Sequence, residues 1–505
     1  MLSYIDHQLN KITMYRLVLY YLILLLGTAV LFSIAGLLPY DVLALLFSIA
    51  FFLALCWITN RLFSWTYGVP ANIESVYISA LILALIITPP QSPNDLWFMG
   101  WAAVLAMASK YIVAIRGKHL FNPVAFAVTL TYFTINQSAS WWIGSGTLLP
   151  VVLIGGLLVI RKLGRFDMVL SFLAANIGMT WLAALFNGID SFATLRNAIL
   201  YSPLIFFSAI MLTEPLTTPP TQKLRIYYGA LVGFLLIPQL HFGSFYLTPE
   251  LGILIGNLYS YMVSPKTRLI LKLKEKIRIA PDVYEFVFAL PRKINFMPGQ
   301  YMEWTLGHPE PDSRGNRRYF TLASSPTEQN LRLGVKFDKN SSTFKRAMLS
   351  MNRDTEIVAA QITGDFVLPT DRYQKCVFLG GGIGVTPYRS MLKYLLDVHQ
   401  RRPITLLYAA RSADEIVYKD IFDRAEKELG IRVIYTLTDG KAPASWSGNL
   451  GRISPQTIKS LLPDYQNSIF FISGSRGLVD SYKDVLHILG IPNSQIRTDY
   501  FAGLA

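Results

Sequence analysis

The chain has 505 residues, 52% hydrophobic and 15% charged, with a formal charge of +14. That much apolar residue with so few charges excludes a disordered chain and is unusual for a water-soluble one. Two cysteines, Cys56 and Cys376, exclude a disulfide scaffold, a cysteine-ligated zinc site and a four-cysteine iron–sulfur cluster.

Length alone sets a prior of about three domains. The charge is unevenly spread: residues 1–265 hold 12 Lys/Arg and 8 Asp/Glu, residues 266–505 hold 34 and 24. The break places a domain boundary at Ser264-Pro265-Lys266. The first part, 1–265, reads as a polytopic α-helical membrane domain, because an apolar helix of about 20 residues crosses the hydrocarbon core. Ten segments are expected, near 15–37, 41–60, 74–88, 96–115, 121–135, 147–160, 167–187, 197–212, 226–243 and 249–264. The first lacks a small-residue cleavage site and is followed by nine more, so it reads as a retained helix rather than a signal peptide. Alternate loops carry the bases (Lys11 and Arg16, Arg61, Arg116 and Lys118, Arg161 to Arg165, Lys223 and Arg225, then Lys266 onward), whereas the others hold Arg196 alone. Basic loops stay cytoplasmic, so both termini and the second half are expected inside a cell (inner) membrane.

Polar residues among apolar runs are functional candidates. Asn122-Pro123 follows Gly117-Lys118-His119, and Glu214-Pro215 lies within LTEPLTTPPT. The competing reading is a helix start and a solvated Pro-rich turn. Two bis-histidine haems need four buried histidines. This half has His7, His119 and His241, none mid-helix, so no haem is expected.

The segments GKHLFNPVAFAV, WWIGSGTLLPVVLIGGLLVIRKLGRFD and MLTEPLTTPPTQKLRIYYGALVG resemble the D component of Rnf-type electron transport complexes and the B component of the sodium-translocating NADH:quinone oxidoreductase. The likeness covers most of 70–265. It implies an electron-carrying membrane domain with FMN or riboflavin, the FMN often esterified to the last threonine of S-G-A-T. Here Ser145-Gly146-Thr147 lacks the alanine. Thr147 is thus a candidate attachment point, against a loop that caps the next helix.

From Arg268, RLILKLKEKIRI and VYEFVFAL alternate apolar with polar residues around Ala280-Pro281-Asp282, as antiparallel strands do. The bases of the first run read as a solvated strand face, with contact to anionic lipid as the alternative. FMPGQYMEW, RRYFTLASSP, LRLGVKFDKNSSTFKRAM and GDFVLP together resemble the FAD-binding β-barrel (266–370) of the ferredoxin–NADP reductase superfamily. Its R-x-Y-[ST] motif reads Arg318-Tyr319-Phe320-Thr321. The resemblance implies that Arg318 pairs with the FAD pyrophosphate, Phe320 stacks on the flavin and Thr321 hydrogen-bonds near flavin N5. Ser342 and Thr343 open a helix, whose N–H groups and dipole suit the same pyrophosphate.

CVFLGGGIGVTPYRSMLKYLL then supplies strand, glycine turn and helix. Gly380, Gly381, Gly382 and Gly384 permit close approach of a pyrophosphate. Three further strand–helix units make 371–505 a parallel α/β nucleotide domain. It resembles the nucleotide half of the same superfamily, with Thr386-Pro387 and a closing DYFAG in which Tyr500 or Phe501 covers the flavin. Ser473-Gly474 stands where the superfamily often has Cys-Gly. After IRVIYTLT, Asp439 is expected to accept ribose hydroxyls and repel a 2′-phosphate, favouring NADH over NADPH.

The combined expectation is an NAD(P)H-dependent flavoprotein oxidoreductase that takes hydride onto FAD and passes electrons to an acceptor in or across the membrane. That acceptor is a quinone, a membrane flavin or an external carrier. Partners are lipid, the nicotinamide nucleotide, the acceptor and further subunits, without nucleic acid and with no metal. Two alternatives stand beside it: a redox-regulated ion transporter and a membrane-anchored diaphorase.

Overall fold

Among the described residues up to Ser264 the long apolar runs fold as helix, and many of the helix ends fall where proline, glycine or a capping side chain interrupts the hydrogen-bond ladder. The computed structural model describes residues 12–499 with Ile5, Gln8 and Leu9, apart from 69–72, 116–117, 238–239, 243–244, 265–267, 310, 313–315, 339–340, 354, 441 and 445. The chain divides into two compact units at Ser264-Pro265.

In the first unit the helices are α1 (Met14–Ile34), α2 (Val42–Tyr67), α3 (Ile73–Ile86), α4 (Asp95–Ile112), α5 (Pro123–Ile135), α6 (Leu149–Leu163), α7 (Phe166–Phe186), α8 (Ser191–Leu200), α9 (Leu204–Met211), α10 (Gln222–Leu235) and α11 (Pro249–Val263). Among the described residues, α1, α2 and α7 are long and apolar enough to cross a membrane. The pair α8–α9, bent by 58° at a break of three residues that includes Pro203, adds a fourth if counted as one span. The rest fall short of the ten full crossings expected, for a local reason. Helix α3 stops before Pro89-Pro90, and α5 starts at Pro123, its N-cap Asn122 accepting hydrogen bonds from Val124 N and Ala125 N. Both are short apolar helices. Within α9, Phe207–Met211 is π-helical, a widening common at functional positions.

Exposed side chains on this unit are strongly apolar: Leu43 is 75% exposed, Trp65 80% and Phe186 86%. Water penalises such a surface and hydrocarbon does not. Two ion pairs link helices of this unit. Arg225 of α10 meets Asp167 of α7 at 2.9 Å, both nearly buried, and Arg16 of α1 meets Glu74 of α3 at 2.9 Å.

The second unit begins with six antiparallel strands, β1 (Arg268–Ala280), β2 (Val283–Ala289), β3 (Tyr301–Thr305), β4 (Arg317–Thr321), β5 (Asn330–Lys336) and β6 (Glu356–Thr363), in the order β4-β3-β6-β1-β2-β5. Along β1, Leu269, Leu271 and Leu273 are buried while Arg268, Lys272 and Lys274 are exposed, the period-two pattern that makes one face core. The two edges meet where Ala323 N donates to Arg332 O at 2.9 Å. Helix α12 (Thr343–Ser350) covers one end, and its Phe344 and Met348 are buried in the core around Trp304.

Six parallel strands follow: β7 (Cys376–Gly381), β8 (Ile404–Ala410), β9 (Arg432–Leu437), β10 (Asn449–Leu450), β11 (Ile469–Ser473) and β12 (Ile496–Thr498), ordered β10-β9-β8-β7-β11-β12. Helices α13 (Thr386–Asp397), α14 (Lys419–Leu429), α15 (Pro455–Leu461) and α16 (Arg476–Ile488) alternate with them. The strand order reverses between β7 and β11. Ligands bind outside the carboxyl ends of strands at such a switch point, here the glycine turn after β7 and Ser473-Gly474 after β11.

Candidate functional site

Arg318 and the start of α12 lie on separate elements, and the fold turns both toward one carboxylate. Arg318 Nη2 donates to Asp312 Oδ1 at 3.0 Å, and Thr343 N donates to Asp312 Oδ2 at 3.3 Å. Asp312 N donates in turn to Thr343 Oγ1 at 3.0 Å, and His308 Nε2 lies 3.2 Å from the same hydroxyl. Ser342 caps the helix, accepting from Lys345 N at 3.3 Å. A guanidinium and a helix N-terminus holding one oxyanion between them form an anion cradle.

The wall beside it is aromatic. Phe344, fully buried, has the Arg318 guanidinium 5.2 Å over its ring and Phe320 at 6.0 Å between centroids. Tyr319 faces elsewhere and donates to Glu303 Oε2 at 2.9 Å. Thr321, at the end of β4, donates from Oγ1 to Asp499 Oδ2 at 3.2 Å, and Ser473 Oγ lies 3.4 Å from the same oxygen. Burial pushes the Asp499 carboxyl up to about 7, against the opposing pull of the Thr321 and Ser473 hydroxyls. Asp499 thus joins a β4 residue to the residue that ends β11.

The glycines act differently from one another. Gly382 has φ +53° and open space where a side chain would be. At Gly384 a Cβ would lie 2.3 Å from Gly474 Cα, so the turn after β7 and the end of β11 approach this closely only because residue 384 is glycine. Gly380 and Gly381 are β7 residues whose missing side chains make room for Tyr388 and Leu478. Thr386 opens α13 and is nearly buried. Asp439 is exposed beyond β9, and Tyr500 and Phe501 lie outside the described residues.

Cradle, aromatic wall and switch-point turn fit FAD and a dinucleotide. Arg318, Ser342 and Thr343 would hold the pyrophosphate, with Phe320 and Thr321 toward the flavin. Sequence reasoning passed over Asp312 and Asp499. No local pattern marks Asp312. Asp499 opens the closing DYFAG, which was the available signal.

In the first unit a second polar cluster is buried. His119 Nε2 lies 2.9 Å from Glu214 Oε1, and Asn122 Nδ2 donates to Glu214 Oε2 at 2.8 Å. Asn122 N donates to Asn257 Oδ1 at 2.7 Å, and Asn257 Nδ2 donates to Tyr228 Oη at 3.1 Å. The two sequence motifs Asn122-Pro123 and Glu214-Pro215 therefore meet. They line a cavity of about 70 Å³ with Ser75, Ser79 and Thr213 and apolar walls. Thr147 sits exposed in the turn before α6.

Residues 142–268 match the NQR2, RnfD, RnfE family, and residues 378–484 match the oxidoreductase NAD-binding domain. The stachydrine N-demethylase reductase subunit Stc4 of Rhizobium meliloti (strain 1021) is 26% identical over 229 residues, 44% of this chain and 63% of that protein. The F component of the Na(+)-translocating NADH-quinone reductase of Yersinia pestis (strain Pestoides F) is 28% identical over 159 residues, 30% of this chain and 39% of that one. The chain thus spans less than two thirds of the length of these curated relatives. Among solved structures, the flavohem-like FAD/NAD-binding domain of nitric oxide dioxygenase from Vibrio cholerae O1 biovar El Tor aligns with 47% of this chain and 99% of its own. Its identity is 19% and its TM-score 0.41. One chain thus carries a region similar to the NQR2, RnfD, RnfE family and a region similar to the oxidoreductase NAD-binding domain.

Proposed function

We propose that this chain oxidises NAD(P)H through FAD and delivers electrons to an acceptor in or across a membrane. The observation that carries the reading is the convergence of Arg318 and the α12 N-terminus on one oxyanion place, in the same compact unit as a glycine turn at a topological switch point. Bound FAD accepts hydride from a nicotinamide and hands electrons on one at a time. The chain's own residues bind and orient: Arg318, Ser342 and Thr343 by charge and N–H, Phe320 and Phe344 by an apolar wall. Thr321 Oγ1 and Asp499 Oδ2 hold a proton between them near neutral pH. We assign Asp439, exposed beyond β9, to the adenosine ribose, an assignment that favours NADH.

For the first unit the proposal is a multi-pass, ten-segment domain in the inner membrane with both termini cytoplasmic, supported by the basic loops and by the apolar exposed surface. The Asn122–Glu214 cavity is its candidate seat for a flavin or quinone head, and Thr147 the candidate point for an FMN ester. Purification in detergent, extraction and counting of flavins, and anaerobic titration with NADH test the whole. The proposal expects FAD plus FMN or riboflavin, with NADH bleaching the flavin absorbance. One FAD alone leaves the anchored diaphorase or the transporter, and no bleaching by either nucleotide refutes the reading.

A further inference from the structure

Barrel and nucleotide domain are joined, within the second unit, by a run of paired charges that the flavin and nucleotide site does not use. Glu285 of β2 pairs with Arg332 of β5, and Arg332 Nε lies 3.3 Å from Glu328 Oε1. Glu328 pairs with Arg389 of α13, whose Nη2 donates to Oε1 at 3.0 Å. The Arg389 guanidinium lies 5.7 Å over the ring of Tyr418. Arg389 and Glu285 are almost fully buried. Three members belong to the barrel, and Arg389 and Tyr418 to the nucleotide domain.

Two backbone contacts show what this run of charges holds. Arg389 Nη1 donates to Ala323 O at 2.9 Å, and Ser390 Oγ donates to Ser324 O at 2.7 Å. Ala323 and Ser324 follow Thr321 by two and three residues; Arg389 and Ser390 follow Thr386 of the glycine turn by three and four. Beside them Gly334 of β5 admits the nucleotide domain: a Cβ there would lie 2.5 Å from Tyr418 Oη and 2.8 Å from Ile383 Cδ1. Buried ion pairs are weak sources of net stability, because desolvation cancels most of the Coulomb gain. Their strength is geometric, since a bidentate guanidinium accepts few arrangements.

We propose that Arg389, with Glu328 and Ser390, registers the nucleotide turn against the flavin strand and so sets the distance between nicotinamide and flavin. These are positioning residues, and the inference rests on the oxidoreductase reading of the proposed function. Misplacement by about 1 Å costs about 100-fold in reactions that need a near-attack geometry.

The test uses the full chain in detergent, as wild type, Arg389→Met, Glu328→Gln and the exchange pair Glu328→Arg with Arg389→Glu. Amide hydrogen exchange at residues 322–328, bound FAD per chain, NADH affinity and single-turnover flavin reduction with 4-deuterated NADH are read together. In both single variants we expect faster exchange at 322–328, FAD content unchanged and NADH affinity within about threefold. Flavin reduction slows at least tenfold with a larger isotope effect, and the exchange pair recovers part of the rate. Should Arg389→Met fold poorly, Glu328→Gln carries the same expectation. Unchanged reduction rates with loosened exchange overturn the proposal, as does a slower rate explained by lost FAD. If wild type itself does not reduce its flavin with NADH, the oxidoreductase reading fails instead.

Discussion

Replacing Asp499 by asparagine removes one ionisation from the centre of the second unit. In the folded chain burial lifts this carboxyl from 3.8 to about 7. A carboxyl with a raised folded-state pKa binds its proton more tightly folded than unfolded. Its contribution to stability is therefore full below about pH 4 and is lost as pH rises through 7. A gap of about three pH units corresponds to about 4 kcal/mol at 1.36 kcal/mol per unit. Part of this goes between pH 4 and 5, and about 2.7 kcal/mol is lost between pH 5 and 9. For a region of this size that is a melting shift of about 5–11 °C. The assay is thermal melting of the full chain in detergent between pH 5 and 9, followed by release of flavin fluorescence. The melting temperature of Asp499→Asn minus that of wild type should rise by about that amount across the range. The flavin-reduction rate of the variant should lose a step near pH 7. A flat difference with an unchanged pH–rate profile would show that Asp499 does not titrate there, and the proton-holding role with Thr321 would fall.

Four further outcomes follow from the same geometry. Arg318→Ala should lower FAD per purified chain at least tenfold while leaving membrane insertion intact; full retention refutes the cradle. Asp312→Asn removes the carboxylate that Arg318 and Thr343 N hold, so FAD affinity should rise about fivefold, worth about 1 kcal/mol in a partly exposed pair, and a loss of affinity refutes the competition. A reporter fused after Ala505 should read cytoplasmic and one within 136–146 external; the reverse at either place overturns the topology. Steady-state kinetics should give a higher kcat/KM with NADH than with NADPH, and Asp439→Ser with Gly440→Arg should raise NADPH use; equal or better use of NADPH by wild type overturns the assignment.

Read by itself, the sequence determined the classes of element and their order. Apolar runs bounded by proline and caps became α1 to α11, since a helix closes its own hydrogen bonds within the segment. Period-two alternation became β1 to β6 and apolar runs alternating with amphipathic helices became the parallel sheet, since the side-chain period follows backbone geometry. The Arg318-Tyr319-Phe320-Thr321 and glycine motifs were legible as patterns because each is local. Span lengths were less so: α3 and α5 end early at proline and Asn122, and hydropathy averages over such breaks. Only tertiary structure decided that Asp312 sits between Arg318 and α12, that Asp499 reaches Thr321 across 178 residues, and that Arg389 pairs with the barrel's Glu328. The physical reason is the same in each case. A lone Asp or Arg carries the same local pattern whether solvated or buried, and its role depends on which distant charge the packing of the core brings within about 3 Å.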